Sequence, residues 1–281
     1  MTPPGVTVIM PTFNRAGYIA ESLDAVLGQT VPPNQVIVVN DGSSDDTETV
    51  LAPYMDRIEY LSKENEGKPI ALNTAMPMVR GDYVWVMDDD DVAVPEALER
   101  HLAILEARPE VGFTYSACYI STTGADGRIV RGPISPYYVS GVPEAQVFTR
   151  LMDACFLNHP GILVRKACYD AVGPFDVELI RSQDYDIMLR LARLFTGAEV
   201  TEPSYDQRQH QGARGTGAQA FAAEQAVARW YEFDRHIFTK LHADMDLREY
   251  LPKDEQGTGE DADFDRRAAL IKRLSVTGRR G

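Results

Sequence analysis

The chain has 281 residues, 44% of them hydrophobic, and carries 28 lysines and arginines against 42 aspartates and glutamates, for a formal net charge of -14. That length and apolar content fit one large α/β domain with an extension, and the acidic balance excludes a polyanion such as DNA or RNA as a partner. Cys118, Cys155 and Cys168 are odd in number and widely spaced, which argues against a disulfide framework or a zinc site and reads them as small buried hydrophobes in a reducing compartment.

Met1 leads through two prolines into an apolar strand, without the pattern of a signal peptide. No apolar run approaches the roughly 18 residues needed to cross a bilayer, so a soluble, cytoplasmic protein is expected. Val6–Met10 and Gln35–Asn40 are β-branched strands, each followed by loop residues and an amphipathic helical stretch. The first helix runs from Tyr18 to Gln29, with Ile19, Leu23, Val26 and Leu27 at helical spacing and Pro32-Pro33 as its stop. The second starts at the capping residues Ser44–Asp46 and turns Val50, Leu51 and Tyr54 inward. Ile58–Leu61 is a third strand, Pro69–Val79 a third helix and Tyr83–Met87 a fourth, wholly apolar strand. Such alternation predicts a Rossmann-like, mostly parallel sheet flanked by helices, with ligands at the carboxyl ends of its strands.

Beyond the aspartate run, Pro95–Ala107 reads as a helix, Gly112–Ser121 and Arg128–Arg131 as a hairpin, Pro143–Asp153 as a helix and Gly161–Val164 as a buried strand. Gln183–Phe195 is an amphipathic helix with Ile187, Met188, Leu191, Leu194 and Phe195 on one side, and Val200–Gln211 leads out of it. Gln219–His242 reads as a long helix, in which Trp230 and Tyr231 are expected to pack. The domain limits that follow are a catalytic domain over 1–215, with a nucleotide-binding part about 1–110 and an acceptor-binding part about 111–215. A C-terminal helical extension covers 216–250 and a charged, mobile tail 251–281. In that tail Arg266, Arg267, Lys272, Arg273, Arg279 and Arg280 follow an acidic stretch, a pattern suited to peripheral membrane contact.

Three polar constellations end strands in the same half of the chain: Pro11–Arg15, Asn40–Ser43 and Asp88–Asp91. A parallel sheet gathers all three on one rim. Four adjacent aspartates after an apolar strand repel one another, so a positive partner is expected there. Hard cations such as Mn²⁺ or Mg²⁺ take one or two carboxylates and complete their shell with water and a substrate diphosphate.

These segments, in order from Val6 to Gln211, resemble the family 2 inverting glycosyltransferases of the GT-A fold. The match is carried by Pro11-Thr12-Phe13-Asn14-Arg15, by Asn40-Asp41-Gly42-Ser43-Ser44-Asp45-Asp46-Thr47, by Asn65-Glu66-Gly67-Lys68 with Ala71-Leu72-Asn73, and by Asp88–Asp91. The resemblance implies a donor pocket in which Pro11, Phe13, Arg15 and Asp41 hold the nucleobase and ribose with Lys68 near the base. It implies Asp89 as a ribose contact with Asp90 as metal ligand, or Asp88 with Asp90 as the metal pair; both registers of the Asp-x-Asp motif fit the run.

The same resemblance makes Asp184 the catalytic base, with Gln183 where the family commonly has Glu. It sets His159 toward the acceptor cavity and His210 over the diphosphate. Gly212, Arg214, Gly215 and Gly217 read equally as a donor lid or a linker. The implied activity is transfer, with inversion, from a nucleotide-diphosphate sugar, UDP foremost, to the hydroxyl of a saccharide or lipid-linked saccharide, with Mn²⁺ or Mg²⁺ as cofactor. The expected setting is cell-surface polysaccharide, glycolipid or related glycoconjugate synthesis. Two rivals are a sugar-nucleotide nucleotidyltransferase, which would carry a glycine-rich basic loop after its first strand, and a non-catalytic nucleotide-sugar binding module. Pro11–Arg15 contains no glycine, and the presence of both Asp90 and Asp184 favours catalysis.

Overall fold

In the computed structural model, which describes residues 5–210, 223–256, 268–273, 276 and 278, the alternating pattern forms as expected. Strand β1 (Val6–Thr12), helix α1 (Ile19–Leu27), β2 (Gln35–Asp41), α2 (Thr47–Leu51), β3 (Glu59–Lys63), α3 (Lys68–Ala75) and β4 (Tyr83–Val86) succeed one another. The four strands pair in parallel in the order β3-β2-β1-β4. Their apolar runs are continuous because both faces are covered. Val8, Met10, Val36, Val38, Tyr83 and Trp85 pack on one side with Ile19 and Leu23 of α1, whereas Ile9, Ile37, Val39, Val84 and Val86 pack on the other with Ala71 and Leu72 of α3. Helix α1 ends at Gly28, ahead of Pro32, because Gln29 turns inward, donating to Val94 O (2.8 Å) and accepting from Leu98 N (3.0 Å).

The chain continues through β5 (Val92–Ala93), α4 (Ala97–Ala107), β6 (Val111–Thr123), β7 (Ile129–Val130), α5 (Val147–Asp153), β8 (Ile162–Arg165), α6 (Lys166–Val172), α7 (Gln183–Leu194), β9 (Thr196–Arg208) and α8 (Ala223–Asp244). The full sheet order is β3-β2-β1-β4-β8-β6-β9-β5, with β7 paired to β6. β8 is antiparallel to both β4 and β6, and β6 is parallel to β9. Thus β3, β2, β1, β4, β6 and β9 point one way and β8, β5 and β7 the other, the mostly parallel α/β sheet that the sequence predicts.

Three elements differ from expectation. Strand β5 and helix α6 are short elements where none is expected, and β9 is a full strand where only a lead-out segment is expected. β9 contains Pro203, and its register with β6 breaks there, between Val200 opposite Ser116 and Tyr205 opposite Cys118. Proline cannot donate to the ladder, so the strand bulges around it.

The C-terminal extension is part of the same core: Ile237, Phe238 and Leu241 of α8 are buried in the cluster that holds Tyr185. Tyr231, expected to pack, is 52% exposed. The described parts of the expected mobile tail are docked, because apolar and ionic anchors hold them. Leu251, Ala269 and Val276 are buried, Lys253 Nζ donates to Phe195 O at 3.0 Å, and Lys272 Nζ to Asp153 Oδ1 at 2.6 Å. The lid glycines and Arg214, the Trp230 side chain and residues 257–267 lie outside the described residues. Among the described residues no helix is long and apolar enough to cross a membrane. Cys118 and Cys168 are buried free thiols, whereas Cys155 is exposed, at a cleft mouth rather than in the core.

Candidate active site

A cleft of about 840 Å³ opens at the carboxyl ends of β1, β2 and β4 and reaches across to the start of α7. Pro11, Phe13, Arg15, Asp41, Lys68, Asp88, Asp89, Asp90, Gln183 and Asp184 all line it. Ten of the residues singled out in the sequence, spread over most of the catalytic region, therefore share one surface.

The floor of the donor side is built by side chains that tie loops together. Asn14 adopts φ 53°, a left-handed conformation that asparagine tolerates, and its Oδ1 accepts from Ser44 N at 2.8 Å while its own N donates to Ser43 Oγ at 2.9 Å. The loops after β1 and β2 are thereby locked edge to edge. Asp41 is buried, and its carboxylate accepts from Gly67 N (2.7 Å), Glu66 N (3.1 Å) and Lys63 Nζ (2.8 Å). Close approach of this loop also requires Gly42, at φ 77°, since a Cβ there would stand 2.7 Å from Asn65 N. Asp41 thus holds up the loop that delivers Lys68.

The four aspartates diverge. Asp89 turns toward the loop after β1, accepting from Phe13 N at 3.3 Å with Arg15 Nε 3.6 Å away. Asp88, Asp90 and Asp91 each bring a carboxylate oxygen within 4.8 Å of the others. Lys68 pairs with Asp88, and Asp90 Oδ2 is met by Arg15 Nε (3.3 Å) and His210 Nε2 (2.9 Å). Burial first, and neighbouring carboxylates second, push the carboxyls of Asp89 and Asp91 well above the ordinary carboxylate range. This oxygen-only, charge-stressed cluster fits a hard divalent cation; all three of its aspartates line the cleft, Asp88 and Asp90 half-buried and Asp91 buried. The grouping takes in Asp88, Asp90 and Asp91 and leaves Asp89 outside it.

Opposite stands the N-terminus of α7. Ile187, Met188, Leu189 and Leu191 are buried, a contribution of about 6–12 kcal/mol as an upper bound at roughly 1.5–3 kcal/mol per side chain. Leu194 is 57% exposed, because the last turn emerges beside the Arg193–Glu249 ion pair. The packing energy outweighs the strain at the helix start, where Ser182 sits at φ 61°, a conformation costing a non-glycine residue about 1–2 kcal/mol. Asp184 follows this turn, half-buried, its Oδ1 accepting from Tyr185 N at 2.9 Å. Burial raises its carboxyl above the ordinary value and the Lys68 ammonium opposes that rise. For Lys68 itself burial favours the neutral amine, but Asp88, Asp184 and Asp89 outweigh it and hold the ammonium charged. Gln183 is buried, and its Oε1 has no partner among the described residues.

The histidines separate. His210 caps the acidic loop through Asp90, whereas His159 does not line the cleft. It is 2% exposed, its Nε2 lies 3.0 Å from Tyr169 Oη, and burial first and Lys68 second pull it down to about 3. A neutral core histidine is what the burial enforces. Sequence reasoning missed Arg208, Glu21 and Tyr18, which brace the acidic loop, and Asp234 of α8, which lines the cleft. Tyr18 and Glu21 lie just before and within α1 and Asp234 within α8, away from any strand end, whereas Arg208 closes β9, a strand that the sequence does not announce.

Comparison with known proteins bears on this cleft. The family model described as glycosyl transferase family 2 matches residues 7–158, which is 152 of the 281 residues. An uncharacterised glycosyltransferase of Rickettsia prowazekii is 32% identical over 194 residues, which cover 68% of this chain and 59% of that protein. Among solved structures, S. aureus TarS 1-349 in complex with UDP-GlcNAc superposes with a TM-score of 0.65 at 18% identity over 98% of this chain and 82% of that one. The mannosyltransferase PcManGT of Pyrobaculum calidifontis, in complex with GDP-Man and Mn²⁺, superposes with a TM-score of 0.62 at 20% identity over 97% and 74%. The structural likenesses show the GT-A fold. With more than half of its length matched by the family model, the chain belongs to glycosyltransferase family 2.

Proposed function

We propose that the chain transfers a sugar from a nucleoside diphosphate sugar, UDP-linked foremost, to an acceptor hydroxyl with inversion at the anomeric carbon and with help from Mn²⁺ or Mg²⁺. The observation that carries this reading is the meeting, across one cleft, of Asp184 on a packed helix start with Lys68 and the Asp88–Asp90 carboxylates on the donor side. Pro11, Phe13 and Arg15 would line the nucleoside end, with Asp41 behind them as support.

Asp184 accepts the proton of the acceptor hydroxyl as that oxygen bonds the anomeric carbon, while the bond to the diphosphate oxygen breaks with its electron pair on the leaving group. A single attack from the face opposite the diphosphate inverts the configuration. Gln183 Oε1, buried and without a partner among the described residues, suits a neighbouring acceptor hydroxyl. Lys68 stands beside the departing charge. Asp88 and Asp90 would hold a divalent cation, which would supply Lewis-acid stabilisation of the leaving diphosphate.

The acceptor is a saccharide or lipid-linked saccharide of cell-surface glycan synthesis, reached from the cytoplasmic side of a membrane. The basic residues from Arg266 to Arg280 support contact with such a surface. The nucleotidyltransferase and the non-catalytic module are not favoured by the family match. A screen of UDP-, GDP- and dTDP-sugars with Mn²⁺, with and without EDTA, and NMR assignment of the product anomer tests the whole proposal. Retained configuration, or full activity in EDTA, overturns it.

A further inference from the structure

The Arg208 side chain is 1% exposed at the end of β9 and does not reach the cleft surface. Its three guanidinium nitrogens bind three separate segments: Nε donates to Asp90 O at 3.0 Å, Nη1 to Thr123 Oγ1 at 2.9 Å, and Nη2 pairs with Glu21 of α1. The Arg208 backbone N donates to Asp91 Oδ1 at 3.0 Å. The guanidinium carbon lies 5.2 Å from the centroid of the Tyr18 ring, and that ring in turn stands 4.8 Å from His210, which reaches Asp90 Oδ2. A guanidinium is planar and its donors are rigidly spaced, so a fully engaged one fixes its partners relative to each other.

We propose that Arg208 is the positioning residue of the acidic loop: it grips the Asp90 carbonyl and the Asp91 carboxylate so that Asp88 and Asp90 face a divalent cation together. This rests on the reading of those two aspartates as cation ligands. Holding Asp90 at its carbonyl and Asp91 at its side chain pins the chain on both sides of one peptide bond, so the point from which the Asp90 carboxylate springs does not drift. Asp91, with one oxygen committed to the Arg208 amide, becomes a brace rather than a principal ligand. Glu21 balances the buried cation, and its other oxygen accepts from Ile129 N at 3.1 Å, which links the brace to the hairpin β6–β7.

The test is uptake of Mn²⁺ by the full chain in the presence of UDP, read from the electron paramagnetic resonance signal of free Mn²⁺, beside melting temperatures without Mn²⁺. The double variant Glu21→Met with Arg208→Met replaces a part-buried ion pair by apolar side chains, a change often neutral for stability. It should melt near the wild type and bind Mn²⁺ about 10–100-fold more weakly, the usual consequence of removing groups that orient metal ligands. Arg208→Lys, which keeps the charge and loses the fork, should weaken binding by at least about 10-fold, and it decides the matter if the double variant does not fold. A folded variant that binds Mn²⁺ as tightly as the wild type overturns the positioning role. If the wild type takes up no Mn²⁺ with UDP, the cation reading of the loop fails first and this inference with it.

Discussion

His210 Nε2 lies 2.9 Å from Asp90 Oδ2, joining the residues just after β9 to the acidic loop after β4. The two are 120 positions apart in the chain. Their contact completes the donor side of the cleft, because Arg15 alone meets the same oxygen only at 3.3 Å. His210→Ala should raise the Mn²⁺ concentration for half-maximal activity by about 10–100-fold, as expected when a group orienting a metal ligand is lost. Activity measured across a Mn²⁺ titration reads this directly. An unchanged half-saturation would remove His210 from the metal side of the site.

Asp41 is expected to act through the loop it supports. Asn in its place leaves the Glu66 and Gly67 amides and the Lys63 ammonium poorly matched, so Asp41→Asn should lose about 1–3 kcal/mol of stability by urea unfolding. Because Lys68 follows the loop, affinity for UDP, GDP and dTDP should fall alike in calorimetric titrations. A loss confined to one nucleotide would instead make Asp41 a reader of the base.

Strand β9 shows why part of the molecule is illegible before folding. Thr196–Arg208 carries Glu199, Glu202, Pro203 and Asp206, which disrupt the alternation that marks a strand, and it is extended because β6 pairs with it from Val111 to Ser121. Arg208 has no local signature, since its meaning arises only where α1, β6 and the acidic loop converge. By contrast β1, β2 and β4 declare themselves through runs buried on both faces, and the polar residues closing those runs are the ones that line the cleft. The resemblance sets His159 toward the acceptor cavity, but the chain buries its ring against Tyr169. Position in sequence locates a rim; it does not say which way a side chain faces.

Ser182 precedes the base by two residues and is strained at φ 61°. Ser182→Gly relieves about 1–2 kcal/mol of left-handed strain against about 0.4–1 kcal/mol of added unfolded-state entropy, so the variant should be as stable as the wild type or slightly more. The freed turn holds Asp184 less rigidly, and kcat should drop with little change in donor KM. Thermal melting and steady-state kinetics check both; a kcat equal to the wild type shows that the turn contributes no orientation.

Asp184 links stability, pH and chemistry in one group. Burial raises its carboxyl above the ordinary aspartate value despite the opposing Lys68 ammonium. A carboxyl whose folded value is raised binds its proton more tightly in the native state than in the unfolded chain. Its favourable contribution is therefore complete below the unfolded value and is lost as pH rises through the folded one. At neutral pH the native protein carries the ionised form at a cost, and Asp184→Asn removes it. The Asn variant should melt at or above the wild-type temperature at neutral pH, and this advantage should shrink as the solution is acidified. The same ionised carboxylate is the form that accepts the acceptor proton, so wild-type kcat should fall as pH drops through the raised value, with an acidic limb above that of a solvent-exposed aspartate. Asp184→Asn should lower kcat by about 10²–10⁴-fold at unchanged donor affinity. A variant that is both clearly less stable at neutral pH and nearly as fast as the wild type would mean that Asp184 holds the helix start and that another residue takes the proton.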